Sequence, residues 1–242
     1  MIRPGSGMLK NPWILYAAIP CAVNLSLVGM YFSGIPWLQH IVVPDLPNMI
    51  QAREFGLLEN LQNIYLLVMF GIGLYALKTK PYLLEKGAAL LFALFAAFVF
   101  VEEIDYGLHW IEFINQVPLE EQAEVRNWHN EGERTSIMKD VMTAGTVLVF
   151  VIAPFAFRNT RNRLIRYLLP ASQYAAGFIG IVLISRLAHY LNDLELGVPG
   201  IRQNIGEFRE LGMYYIYMMH AYTVAVTRQY DTTPITPEKT EG

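Results

Sequence analysis

The chain has 242 residues, 54% hydrophobic and 16% charged, with a mean hydropathy of +0.31, whereas about a quarter of a soluble domain's residues are charged. Its 18 basic and 21 acidic side chains leave a net charge of −3, so no basic field exists to hold a phosphate backbone and nucleic acid is excluded as a partner. The single cysteine, Cys21, has no internal disulfide partner and lies in an apolar run, where it packs as a small hydrophobe.

What remains is an integral membrane protein. A spanning helix needs about 20 mainly apolar residues, because its backbone amides find no water to bond. Six stretches qualify, at residues 12–33, 57–77, 87–108, 138–157, 172–191 and 211–227. The first follows Arg3 and Lys10, but it is long, contains Pro20 and Asn24, and lacks a small-residue cleavage site. It reads as a retained helix rather than a signal peptide.

Lysine and arginine mark cytoplasmic loops. Arg3 and Lys10, then Lys78, Lys80 and Lys86, then Arg158, Arg161, Arg163 and Arg166 fall on one side. Segments 34–56, 109–137 and 192–210 are mixed or acidic and face outward. The fold predicted is all-α: a bundle of six transmembrane helices over residues 1–229 with both termini cytoplasmic. Residues 230–242, with Pro234 and Pro237, are predicted to form a disordered cytoplasmic tail. Between the third and fourth spans the spacing predicts a short surface helix over 119–128, able to act as a lid.

Orientation converts scattered polar residues into a location. Glu54, Glu59, Gln62, Glu207, Glu210 and Tyr214 stand early in inward-running helices, and Glu102, Glu103, Asp105, Tyr106 and His109 stand late in an outward-running one. Arg186, His189, Asn192 and Asp193 end the other outward-running helix. All fall at the outer leaflet. Residues three, four and seven apart share a helix face, so Glu102, Asp105 and His109 form one stripe and Arg186, His189 and Asp193 another. An ionisable group at the centre of a spanning helix costs roughly 2.5–3.5 kcal/mol on insertion scales, and neither Glu102 nor Glu103 can face lipid cheaply. A shorter echo, Arg53-Glu54-Phe55-Gly56 and Arg209-Glu210-Leu211-Gly212, opens the second and sixth spans.

Carboxylate and imidazole pairs four apart let two ligands reach one metal from one helix. His109, His189, Asp105, Asp193, Glu59 and Glu210 are the candidate ligands of a divalent metal such as zinc. Glu102 and Glu103 are the candidate catalytic acids and bases, and Arg186, His129, Tyr106 and Tyr214 the candidate substrate contacts. The same residues read structurally as ion pairs, Arg186 with Glu102 or Glu103 foremost. His220, deep in the sixth span, is either a cofactor ligand or a histidine bonded to a neighbouring helix. The leading reading is a metal-dependent, hydrolase-like membrane enzyme acting on a lipid or lipid-linked substrate at the outer membrane face. The alternatives are a non-enzymatic subunit bound to other membrane subunits and an ion-coupled transporter.

Glu102-Glu103-Ile104-Asp105-Tyr106-Gly107, followed by Asn127-Trp128-His129-Asn130, resembles a group of bacterial polytopic membrane proteins with a Glu-Glu-Ile-x-x-Gly helix end and an Asn-x-His-Asn loop. The resemblance covers residues 50–135, with Leu108 and His109 standing where that group has Gln-Arg. It implies a bacterial source, and hence the plasma (inner) membrane, and supports the outer cluster as one unit, but implies no activity. The site type is also similar to that of the intramembrane zinc amidohydrolases of the alkaline ceramidase class, whose paired His-x-x-x-His is missing here.

Overall fold

The computed structural model describes residues 11–50, 52–122, 133–196 and 205–230, with the backbone alone for 133–139. The described residues contain helices and no strand. Four helices are long and apolar enough to cross a membrane: Ile14–Tyr31, Leu57–Thr79, Leu83–Glu103 and Gln173–Asp193. Each buries under two-fifths of its apolar window inside the protein. Leu67, Leu91, Leu94, Phe98 and Leu183 instead point outward. Such a continuous exposed apolar surface is what a membrane, not water, would cover.

In chain order the helices are α1 (Ile19–Tyr31, entered through a π-helical turn Ile14–Ala18), α2 (Pro36–Val42), α3 (Leu57–Thr79), α4 (Leu83–Glu103) and α5 (Leu108–Asn115). They continue as α6 (Glu133–Thr146), a π-helical stretch Val147–Ile152 and α7 (Ala153–Ala156). Then come α8 (Arg163–Leu168), α9 (Gln173–Asp193) and α10 (Glu207–Tyr222), which runs on through a π-helical turn Thr223–Thr227. The run Asp140–Ala156 is apolar but shorter than the four long helices.

α10 is the axis of the bundle, packed against α1, α3 and α9. Eleven of its sixteen residues are buried, among them Tyr214, Tyr215 and Tyr217, so protein rather than lipid surrounds it. That is why it tolerates Glu207, Arg209 and Glu210 in its first turn. The core around it comprises Leu66, Met69, Phe150, Tyr174, Phe178 and Ile216, with a second cluster around Tyr31, Leu58 and Phe208. The helix from Ile14 crosses α9 at Gly177, where an added Cβ would lie 2.0 Å from the Tyr16 carbonyl oxygen. Only a residue without a side chain permits that approach.

The two ends of the bundle differ. At one end Arg228 donates to the carbonyls of Tyr167 (2.7 Å) and Leu169 (2.6 Å). Lys80 pairs with Glu85 at 3.4 Å and donates to the Arg228 carbonyl, while Glu85 accepts from the Tyr230 amide at 2.9 Å. This network ties the end of the π-helical turn to the α3–α4 connection. The other end gathers the N-termini of α3 and α10 and the C-terminus of α4.

The span expected to reach Leu108 as one helix ends at Glu103. Asp105 (φ 49°), Tyr106 (φ 56°) and Gly107 (φ 80°) follow in the left-handed region, a conformation uncommon outside glycine. The chain therefore turns before α5 begins. Of the surface helix expected over 119–128, a 3-10 turn Leu119–Glu121 is present, and residues from 123 lie outside the described residues. So do the Asn127–Asn130 motif, including His129, and the tail from 231 onward.

Candidate functional site

Three helix ends meet where α4 stops. Gly56 begins α3 beneath the Val42 carbonyl oxygen, 2.0 Å from where its Cβ would stand, which presses the 3-10 turn Ala52–Phe55 against the bundle. Glu59 lies in the first turn of α3, and Glu207 and Glu210 in that of α10. Helix N-termini favour negative charge there. Glu103 has no such support, since it closes α4 at the negative end of the helix dipole. Its carboxylate instead accepts a 2.6 Å hydrogen bond from the Tyr214 hydroxyl.

One ligand oxygen from each of Glu59, Glu103 and Glu207 lies within 4.8 Å of the others. Glu59 and Glu207 are buried and Glu103 is partly so. Gln62, fully buried, donates through Nε2 to the Glu207 carbonyl (3.1 Å) and carboxylate (3.3 Å). Its Oε1 is buried without a partner among the described residues. Arg53 is the neighbouring cation, with Nε 3.2 Å from Glu54 and Nη1 3.7 Å from Glu207. Burial works against its charge, but Glu207, Glu54, Glu59 and Glu103 outweigh that and hold the guanidinium above its ordinary range. It is cationic at every usable pH.

Beside this centre an apolar cleft of about 190 Å³ lies between α4 and α6, with α10 as its floor. Phe95, Phe98, Val99, Met142 and Met213 line its body, and Glu102, Glu103, Arg209, Glu210 and Tyr214 its polar end. Glu102 accepts a hydrogen bond from the Tyr106 hydroxyl, which raises that phenol above its ordinary pKa.

Among the sequence-derived candidates, Glu59, Glu103 and Tyr214 come together at the centre, and Glu102 and Glu210 stand at the cleft beside it. Asp105 is buried in the left-handed turn. His109 is buried on α5, edge-on to Phe55 at 5.4 Å between ring centroids and next to Trp110. With the helix interrupted, Glu102, Asp105 and His109 do not form a stripe on one helix. Arg186, His189 and Asp193 are exposed on α9, and Arg186 makes no ion pair among the described residues. The one group of three possible ligands that converges among those residues contains no histidine.

Glu207, Arg53, Gln62 and Arg209 complete the arrangement. Depth along the helix places Gln62 and Glu207 at this end without marking them as ligands or contacts; for Arg53 and Arg209 the signal is the Arg-Glu-x-Gly echo, whose two copies place Arg53 and Glu54 against the carboxylates and Arg209 and Glu210 at the cleft. His220 sits among Phe92, Phe150 and Tyr174, with ring centroids 5.2–5.9 Å away.

The ligand atoms that converge among the described residues are three carboxylate oxygens, an all-oxygen donor set. Such a set suits a hard divalent cation, Mg²⁺, Mn²⁺ or Ca²⁺, better than zinc. No protein-family model matches the sequence, no curated protein matches it, and no solved structure matches its fold.

Proposed function

We propose that the chain is an integral membrane enzyme that uses a divalent cation, held by Glu59, Glu103 and Glu207, to act on a lipid or lipid-linked substrate. In this reading it has six spanning helices and cytoplasmic termini in the plasma (inner) membrane of a bacterium, with its site at the outer face. The four long apolar helices support that topology, together with the helical runs from 140 to 156 and from 207 to 227. The distribution of lysine and arginine gives the orientation.

The observation that carries the functional reading is the double position of Glu103. It belongs to the convergent carboxylates and also lines the apolar cleft, so a cation bound there would touch the polar end of a molecule whose chain lay along Phe95, Phe98 and Met213. Carboxylates converging this closely in a low-dielectric setting suit a bound cation.

Chemically, the cation would polarise an ester or phosphoryl oxygen, and Glu102 would take the proton from an attacking water and return it to the alcohol released as the ester or phosphoester bond breaks. The test is conversion of a total lipid extract by the protein in nanodiscs with Mg²⁺ or Mn²⁺, read by mass spectrometry. Wild type should form a product that Glu103→Gln and Glu102→Gln do not; a product formed equally by all three would overturn the reading.

A further inference from the structure

The polar end of the cleft carries both signs of charge, and this restricts what can lie in it. Arg209 and Glu210 come from the first turn of α10, Glu102 from the last turn of α4, and all three line the same cavity. Arg209 is half-buried. No ion pair among the described residues claims its guanidinium. A guanidinium at the end of a partly desolvated cleft favours an anion, and its planar fork matches a phosphate or carboxylate. A simple anion would also meet the repulsion of Glu102, Glu103 and Glu210, whereas a simple cation would meet Arg209. A zwitterion satisfies both.

We infer that the cleft takes a phospholipid bearing a primary amine, with its phosphate on Arg209, its ammonium on Glu210, and an acyl chain along Phe95, Phe98 and Met213. This names the substrate class of the site described above and rests on that reading for any catalytic consequence. Three features favour it. The body of the cleft is apolar, and Phe98 at its rim is more than half exposed, on a surface that apolar neighbours assign to lipid, so a chain can enter sideways. The carboxylates favour an ammonium that donates hydrogen bonds. A quaternary amine instead seeks a cage of aromatic faces, and among the described residues the aromatic ring lining the polar end, Tyr214, donates its hydroxyl to Glu103.

The experiment is competitive lipid binding to the full-length detergent-solubilised protein, by native mass spectrometry, with a chelator present so that no divalent cation contributes. The lipids share acyl chains and differ in headgroup: phosphatidylethanolamine, phosphatidylcholine and phosphatidylglycerol. In wild type the ethanolamine lipid should bind about tenfold tighter than either competitor, the worth of one charge-assisted hydrogen bond. Arg209→Gln should weaken all three lipids alike, and Glu210→Gln should remove the preference for ethanolamine over choline.

Equal binding of all three by wild type would overturn the inference without any variant having to fold. So would a preference for phosphatidylglycerol, which would make Arg209 a site for anionic lipid, and so would an ethanolamine preference that survives both substitutions. Because the chelator removes the cation, a retained headgroup preference beside an inactive cation site would refute the enzyme reading alone. Loss of the preference beside a cation-dependent reaction would refute the lipid assignment alone.

Discussion

Replacing Arg53 by glutamine removes a cation that pairs with Glu54 and Glu207 beside the carboxylate centre, while keeping much of its volume. The Arg53 side chain is 14% exposed, and those of its partners Glu54 and Glu207 are 6% and 7% exposed. At the 3.7 Å separation of Arg53 and Glu207, Coulomb's law with an effective dielectric of about 20 gives about 4.5 kcal/mol for that pair. Breaking a buried pair by removing one partner costs roughly 3–5 kcal/mol, most of it the uncompensated charge left behind. Water reaching the partly open side of Arg53 lowers the figure, so Arg53→Gln should destabilise by about 3 kcal/mol. At roughly 2–4 °C per kcal/mol for a chain of this size, the Tm in detergent should fall by about 6–12 °C.

The double variant Arg53→Gln/Glu207→Gln removes the orphaned charge as well. It should recover part of the loss, with a coupling energy of about 1–3 kcal/mol. A single variant within about 1 °C of wild type, or strictly additive effects in the cycle, would show that the guanidinium does not hold the cluster together.

Gly177→Ala should cost about 2–3 kcal/mol, because the new Cβ meets the Tyr16 carbonyl and the helices must separate. Gly71→Ala, which meets nothing within 4 Å, should shift the thermal midpoint little; equal effects would refute the crossing at Gly177. Arg228→Ala leaves the Tyr167 and Leu169 carbonyls without their donor and should destabilise by about 2 kcal/mol, with faster limited proteolysis near residue 228; unchanged proteolysis would count against the C-terminal tie. Tyr214→Phe removes the hydrogen bond to Glu103 and should lower the rate of lipid conversion about tenfold with the fold intact by circular dichroism, whereas an unaltered rate would remove Tyr214 from the site.

The all-helical fold and its apolar helices are legible in composition and run length, because a bilayer leaves the backbone few other solutions. The depth of the acids is legible too: Glu59, Glu103, Glu207 and Glu210 do stand at one end. What sequence does not disclose is azimuth. A helix in lipid is apolar on its outer face as well as its inner one, so the pattern does not tell His189, exposed on α9, from Glu59, buried on α3. Arg186, His189 and Asp193 are exposed on α9 and are not among the converging carboxylates.

The break after Glu103 is hidden for a different reason. Gly107 announces a turn, but Asp105 and Tyr106 adopt positive φ as well, and nothing in their side chains predicts two consecutive left-handed residues. That bend takes His109 off the face of Glu102. The extent of α10 is hidden from hydropathy because protein wraps it; its first turn, which carries Glu207, Arg209 and Glu210, falls outside a window that counts only apolar residues.

The central claim is that Glu59, Glu103 and Glu207 hold a divalent cation, and binding of Mn²⁺ followed by electron paramagnetic resonance tests it most directly. Wild type should bind one equivalent per chain, Glu59→Gln and Glu103→Gln should each weaken it at least about tenfold, and His109→Ala should leave it unchanged. Absence of saturable Mn²⁺ binding in wild type, or binding lost in His109→Ala and kept in Glu103→Gln, would contradict the account.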